Sequence, residues 1–269
     1  MTRKSILLGI AAMAVVVSAS AVAAQSPYRA QEPDPQTTSK GMTAIQRAAA
    51  ANKYLFVFFW KEKNEQADAM WNVLQPVMGK VADRAESVAV NVLDPAEQPI
   101  VAKFGVDRSP MPLVLALAPN GAITKGLPLK CDERQLLQAF VSPGTAGCLK
   151  ALQARKLVLL SVQRRSQYIR QVSLQRGAAD FVADARFAGA TEIVAIDPAD
   201  PAEAAFLQEL QVDPRTSTSA TVLLAPPGSV VGKFDGPVTK EQLVAKLQAA
   251  QSNPCAGGKC GPGGCGPKR

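Results

Sequence analysis

The sequence contains an internal repeat at an offset of 107 residues, and this repeat limits the possible folds more than any other feature. The segment Val114–Gly121 reads VLALAPNG, and Thr221–Gly228 reads TVLLAPPG in the same register. At the same offset, Asp132–Gln135 falls on Thr239–Gln242. Both are capping boxes, in which the first side chain caps a helix and the Gln three residues later reaches back. We therefore expect two tandem copies of one fold, joined near residues 142–147.

The first copy shows alternating strands and helices. Leu55–Trp60 is continuously apolar and rich in aromatic residues. This predicts a central strand covered on both faces, with a buried helix fragment as the alternative. The next strand ends at Asp94-Pro95, and we align it with a strand of the second copy that ends at Asp197-Pro198. The order helix, strand, helix, strand, helix, strand, strand, helix predicts an α/β fold.

The first copy resembles the thioredoxin superfamily over residues 42–141. The resemblance rests on the aromatic strand before a helix, on Asp94 at the end of the next strand, on Gly105-Val106 before a proline-bearing turn, and on the Asn120-Gly121 hairpin. It implies two tandem thioredoxin-like domains, each with a central mixed sheet flanked by helices.

The two ends of the chain differ in composition from these copies. Residues 1–24 have a basic start, an apolar stretch and small residues near a predicted cleavage site. This pattern predicts a signal peptide, and therefore an exported protein that is periplasmic or extracellular. No later stretch is apolar for long enough to span a membrane. The predicted division is a signal peptide over 1–24, a disordered linker over 25–41, domain 1 over 42–146, domain 2 over 147–250 and a flexible Cys/Gly/Pro tail over 251–269.

The chain lacks the thiol pair of redox-active thioredoxins. Such proteins carry two cysteines two residues apart after the first central strand, and the resemblance puts those positions at Asn64 and Ala67. Neither side chain forms a thiolate, and no cysteine precedes Cys131. Histidine is absent, which excludes Ser-His and Cys-His nucleophile pairs and His-containing metal sites. We expect a redox-inactive fold, and no other catalytic constellation stands out.

The resemblance also implies a cis-proline directly before the third core strand, where it helps to hold an extended peptide. Pro112 is our choice, Pro110 is the alternative, and an ordinary trans-proline is the competing interpretation. The second copy has Ser219 at the position of Pro112. The candidates for a peptide groove are therefore Trp60, Asn64, Ala67 and Pro112.

Two cysteines lie around the end of the first copy. Cys131 precedes its last helix and Cys148 follows that helix. In an exported protein we expect a structural disulfide between them, worth about 3 kcal/mol, with two buried free thiols as the alternative.

The tail carries three more cysteines at a spacing of five, Cys255, Cys260 and Cys265, among glycines and prolines. Three sulfur ligands suit copper(I) or zinc, although zinc sites use four ligands at closer spacing. One alternative is disulfides within or between chains, because an odd total of five cysteines leaves one for a link to another chain. The other is a solvated tail without defined chemistry.

The sequence therefore favours a non-catalytic module that binds a protein or peptide partner. A metal-binding or thiol-exchange protein that works through its tail is the alternative, and otherwise we expect no cofactor. The formal charge is +8, but the basic residues are scattered and accompany no nucleic-acid motif, so we expect no nucleic-acid partner.

Overall fold

The computed structural model describes residues 39–164, 172–214 and 219–252, and these residues form two domains with the same order of elements. Domain 1 consists of α1 (Lys40–Ala50), β1 (Tyr54–Trp60), α2 (Glu65–Lys80), β2 (Ala85–Asn91), α3 (Gln98–Phe104), β3 (Leu113–Leu117), β4 (Ile123–Pro128) and α4 (Glu133–Leu137). Domain 2 consists of α5 (Pro143–Gln153), β5 (Leu157–Val162), α6 (Val172–Ala183), β6 (Thr191–Ile196), α7 (Ala204–Glu209), β7 (Ala220–Ala225), β8 (Ser229–Asp235) and α8 (Lys240–Ser252). The predicted repeat of one α/β fold is confirmed.

Each domain has a four-stranded mixed sheet, in the order β2-β1-β3-β4 in domain 1 and β6-β5-β7-β8 in domain 2. The first two strands of each domain pair in parallel and the other pairs are antiparallel. In domain 1, Val57 is opposite Val88 on one side and Leu115 on the other. The apolar strand Leu55–Trp60 is therefore central, as predicted.

Strand β1 is buried on both faces because its alternate side chains enter two separate clusters. Phe56 and Phe58 pack with Met70 and Leu74 of α2, whereas Phe59 packs on the opposite face with residues that include Ile100 of α3. Two buried faces explain why this strand is apolar at every position rather than at every second one.

A buried glutamate fastens the first helix of each domain to the turn after the second strand. In domain 1, Glu97 accepts hydrogen bonds from Ser39 Oγ (2.6 Å), Lys40 N (2.9 Å) and Gly41 N (3.1 Å). In domain 2, Glu203 accepts from Ser142 Oγ (2.6 Å) and Gly144 N (2.8 Å). The carboxylates satisfy backbone donors that the first turn of a helix leaves free.

These glutamates correct the alignment of the two copies. Both belong to an Asp-Pro-Ala-Glu turn, in which Asp94 or Asp200 accepts from the alanine N–H two residues later at 2.9 Å. The counterpart of Asp94-Pro95 is therefore Asp200-Pro201 and not Asp197-Pro198. Both copies contain the sequence Asp-Pro-Ala-Glu. The second copy has an additional Asp-Pro at residues 197–198, and this led to the wrong alignment.

A single helix spans the boundary predicted between residues 146 and 147. Helix α5 begins at Pro143 behind the cap Ser142, just as α1 begins behind Ser39. Its buried residues Cys148, Ala151 and Leu152 pack into the core of domain 2. The start of α5 is thus continuous with the helix that packs on domain 2, while its Ala146 also packs against Ala118 and Ala122 of domain 1.

Direct hydrogen bonds join the two domains. The Tyr54 hydroxyl donates to Val141 O (2.7 Å) and accepts from Val141 N (3.1 Å), so it satisfies the chain just before α5. Gln153 of α5 pairs with both main-chain groups of Ile123 in β4, at 2.9 and 2.6 Å. Asn120 Nδ2 donates to Ala146 O at 2.8 Å. Within the described ranges, no helix is long and apolar enough to cross a membrane.

Candidate peptide-binding cleft

Helix α2 begins at a position where a polar amide takes the place of a thiol. Asn64 is exposed, has an extended backbone and accepts a hydrogen bond from Ala67 N at 2.8 Å. This is an ordinary N-cap, which satisfies one of the free N–H groups of the first turn. The cap stabilises α2 and supplies no nucleophile.

The other predicted groove residues lie mostly below the surface. Ala67 is 5% exposed within the core of domain 1, and Pro112 is buried. The Met111–Pro112 bond is cis, so the choice of Pro112 is confirmed. Trp60 ends β1 and is half-buried against the core. Of the four predicted residues, only Asn64 is exposed.

An open cleft of about 340 Å3 lies at the carboxyl ends of β1 and β2, and none of the four predicted residues belongs to its lining. Its lining is formed by the residues that follow the two strands and precede the cis-proline: Lys61, Val92, Leu93, Gln98, Val101, Asp107, Ser109 and Met111. The sequence analysis named Trp60 and Pro112, whereas their neighbours Lys61 and Met111 line the cleft. The position of these residues after the strands could have indicated the cleft, since α/β sheets bind ligands beyond the carboxyl ends of their strands.

The cleft combines apolar and charged groups. Leu93 is 57% exposed, which is high for a large apolar side chain, and Met111 is half-buried beside it in the lining. Lys61 and Asp107 add one positive and one negative side chain, both exposed. Such a surface offers contacts to an apolar side chain and to the polar groups of a backbone.

The comparisons with known proteins concern the fold. No protein-family model matches the sequence, and no curated protein matches it either. The zinc-bound form of human ERp44 is similar in structure at 10% identity and a TM-score of 0.35, over 84% of this chain and 61% of that chain. The first two thioredoxin domains of Saccharomyces cerevisiae Eps1p are similar at 10% identity and a TM-score of 0.29, over 81% of this chain and 98% of that chain. Oxidised thioredoxin from Plasmodium falciparum covers 38% of this chain and 88% of its own length, at 15% identity and a TM-score of 0.30.

The topology of each domain decides the fold: one parallel and two antiparallel strand pairs, with helices on both faces of the sheet. Both domains have a thioredoxin-like fold. Domain 1 keeps the cis-proline before the third core strand, whereas domain 2 has the non-proline Ser219 directly before β7. The second cis bond of the described residues is Pro226–Pro227, in the turn between β7 and β8.

The second thioredoxin-like domain has a larger cavity, of about 940 Å3, between the end of β6 and the start of α5. Its lining includes Gly144, Gln163 and the carboxylate residues Asp197, Asp200 and Glu203. Glu203 already holds the start of α5, so an anion would meet negative charge there instead of free N–H groups.

The thiols of Cys131 and Cys148 are both free, so the predicted disulfide is absent. The reason is that the two residues serve different domains: Cys131 packs against the core of domain 1, whereas Cys148 is buried in the core of domain 2. Burial, and then the charge of Asp132, raise the pKa of Cys131 to about 11. Burial, and then the charge of Glu203, raise the pKa of Cys148 to about 12. Both thiols stay protonated at neutral pH, which makes them poor nucleophiles and poor metal ligands.

The remaining sequence predictions lie outside the described residues. These are the signal peptide over 1–24, residues 25–38 of the predicted linker, and residues 253–269 of the predicted tail, with Cys255, Cys260 and Cys265. Linker residues 40–41 and tail residues 251–252 are helical instead, in α1 and α8. Within the described ranges, no group of three or more Cys, Asp or Glu side chains is arranged to hold a metal ion.

Proposed function

We propose that this thioredoxin-like protein is an exported binding module that holds an extended segment of a partner protein in the cleft of domain 1 and carries out no thiol chemistry there. The main observation is the arrangement around Asn64. A neutral amide caps α2 where a redox thioredoxin needs its thiolate, while the same domain has the cis-proline and an open cleft at the carboxyl ends of β1 and β2. The basic, apolar and small residues of 1–24 support export.

The lining of the cleft favours a peptide over a small polar metabolite. Leu93 and Met111 give the lining apolar surface. Burying a hydrophobic side chain against it contributes about 25 cal/mol per Å2 of apolar surface removed from water. Lys61 and Asp107 stand at the same surface and suit the polar groups of an extended chain. A cavity of about 340 Å3 accommodates one large side chain with its backbone.

A binding screen with the whole chain tests this proposal. Fluorescent peptides of varied sequence are titrated against the protein, and those that bind are measured again with Leu93→Asp. We expect a loss of affinity of about tenfold or more, because a carboxylate would replace apolar contact area. Leu137→Asp is the matched control, since Leu137 is 39% exposed on α4 and does not line the cleft. The proposal is wrong if no peptide binds, or if both variants lose affinity equally.

The redox part of the proposal has its own assay. Reduction of insulin disulfides with dithiothreitol as electron donor should proceed no faster with the protein than without it, because Asn64 and Ala67 supply no sulfur. Clear turnover that disappears in Cys255→Ser would instead assign the chemistry to the tail.

The spacing of Cys255, Cys260 and Cys265 supports a second candidate function, binding of copper(I) or zinc by the tail. Metal analysis of protein purified under reducing conditions tests it. About one equivalent of metal, lost on deletion of residues 254–269, is the expected result for such a site. A metal content equal in the full chain and the truncated chain would exclude it.

A further inference from the structure

Strand β6 is an edge of the sheet of domain 2, because β5 alone among the described strands pairs with it. Gln163 N of the chain after β5 donates to Ile196 O at 3.1 Å, so the main-chain groups of Ile196 face β5. Successive residues of a strand turn these groups to opposite sides. Ile193 and Ala195 therefore point their N–H and C=O groups away from the sheet, where another strand can pair with them.

The side chains on this edge are open to an added strand. Ile193 is 45% exposed, and Ala195 is exposed as well. An apolar side chain beside unpaired main-chain groups is the surface that strand addition uses, since the main chain supplies hydrogen bonds and the side chains supply contact area.

The cavity of about 940 Å3 in domain 2 adjoins the same edge. Val194, Ala195 and Ile196 of β6 line it, together with the turn after the strand and the start of α5. The turn contributes the carboxylates of Asp200 and Glu203, and no Lys or Arg of the described residues belongs to the lining. The whole chain carries a formal charge of +8, so this acidic surface is a local exception that suits cationic side chains.

A buried amide belongs to the lining of this cavity. Gln163 is 5% exposed, and its Nε2 has no hydrogen-bond partner among the described residues. A buried donor without an acceptor is unfavourable, so an acceptor such as a main-chain carbonyl of an added segment would be stabilised here.

We propose that the outer edge of β6 binds an extended, basic segment of a partner protein, which adds a strand to the sheet and places Lys or Arg side chains against the acidic cavity. Main-chain hydrogen bonds to Ile193 and Ala195 give affinity, and Asp200 and Glu203 select positive charge. This site shares no lining residue with the cleft of domain 1, so it does not depend on the proposed function.

Titration with a model peptide tests the strand pairing. The probe is a fluorescent peptide in which Lys and Val alternate over about eight residues, the length of an ordinary strand. We expect saturable binding to the full chain with a dissociation constant below about 1 mM. Ala195→Pro should weaken it at least about fivefold, because proline has no N–H to donate to an added strand.

The first domain supplies the matched control, Ala89→Pro. Ala89 is exposed on β2, the edge strand of domain 1. Tyr54 N donates to Arg84 O, so by the same alternation the N–H of Ala89 also points outward. Ala89→Pro and the cleft variant Leu93→Asp should both leave the affinity for the Lys/Val peptide unchanged.

The selection of charge is tested with a second peptide, in which Glu replaces Lys. We expect it to bind at least about fivefold more weakly than the Lys/Val peptide. Asp200→Asn keeps the side-chain oxygen that accepts from Ala202 N, so it removes the charge and not the turn. It should weaken binding of the Lys/Val peptide about threefold and leave that of the Glu/Val peptide no weaker.

Hydrogen exchange of the unaltered protein locates the bound peptide. The Lys/Val peptide should slow exchange of the Ile193 and Ala195 amides but not of the Ala89 amide. Absence of binding, equal affinity for the two peptides, or protection elsewhere than on β6 would overturn the proposal. Loss of binding in Leu93→Asp instead of Ala195→Pro would assign the peptide to the cleft of domain 1. A dimer of this protein that dissociates in Ala195→Pro would assign the edge to a second copy and equally overturn the proposal.

Discussion

Ser142 Oγ donates a hydrogen bond of 2.6 Å to Oε2 of Glu203, across 61 residues of sequence. The same carboxylate accepts from Gly144 N, and Glu203 is only 4% exposed. Ser39 and Glu97 repeat this arrangement in domain 1. The pair determines where α5 starts and therefore where the second domain begins.

The first prediction concerns this carboxylate. Glu203→Gln keeps the size of the side chain but replaces a charged acceptor by an amide, so one of the two donors at the start of α5 loses its partner. We expect the free energy of unfolding to fall by about 1–3 kcal/mol in urea denaturation. Glu209→Gln is the matched control, because Glu209 is exposed at the end of α7, and its effect should stay within about 0.5 kcal/mol. Similar losses in both variants would contradict a special role for Glu203.

A pair of glycines tests the packing of α6. At Gly177, an added Cβ would overlap the main-chain oxygen of Val238 and lie 2.9 Å from Thr239 Cα, so the backbone itself would have to move. We expect Gly177→Ala to destabilise the protein by about 2–4 kcal/mol, measured by thermal or urea unfolding. In contrast, a Cβ added at Gly79, inside α2, would meet no neighbouring atom within 4 Å, and Gly79→Ala should stabilise by about 0.4–1 kcal/mol. The opposite signs of the two changes are the decisive result.

The buried thiols predict a loss of stability at high pH. The folded state raises the pKa of Cys148 from 9.0 to about 12, so the unfolded chain releases this proton at lower pH than the folded chain. The contribution of this thiol to the free energy of unfolding is fully present below about pH 9 and is lost as the pH rises towards 12. Cys131 acts in the same direction, with a pKa of about 11.

Urea unfolding between pH 8 and pH 11.5 measures this effect. In Cys148→Ala the decline of the unfolding free energy above pH 9 should be shallower than in the natural chain, because the variant has no thiol to titrate. Identical slopes would show that Cys148 does not contribute.

The junction of the two domains gives the last prediction. In Gln153→Ala both hydrogen bonds to the main chain of Ile123 are lost. We expect the free energy of unfolding to fall by about 0.5–1.5 kcal/mol. Hydrogen exchange adds a local readout: the Ile123 amide should exchange faster, whereas the Ala122 amide, which donates to Asn120 Oδ1, should not. Gln208→Ala on the exposed face of α7 serves as the control. Unchanged exchange at Ile123 would show that Gln153 does not protect this amide.

Several features of the fold could be predicted because they depend on neighbours in sequence. The apolar run of β1 indicated a strand buried on both faces, and the capping box of Asp132 and Gln135 forms as its spacing requires. The counterpart box at Thr239 and Gln242 forms too. Pro112 before β3 is cis, as the resemblance implied.

None of the residues predicted for the candidate site lines the cleft itself. The sequence resemblance pointed to Trp60, Asn64 and Pro112, but the lining consists of the residues beside them, such as Lys61 and Met111. Lys61 and Met111 lie in the connections just after β1 and just before β3. The path of each connection decides which side chain faces the cleft, and this path depends on contacts with other elements that the sequence of one segment does not show.

By itself, the sequence determined the tandem repeat, the central strand and the absence of a thiol pair at Asn64 and Ala67, since these follow from local pattern and composition. Only the tertiary structure decided that Cys131 and Cys148 lie in separate cores and that Glu203 fixes the start of α5. Contacts of this kind join residues far apart in the chain. They cannot be inferred from local sequence pattern, because the assembled sheets set the distances between the groups concerned.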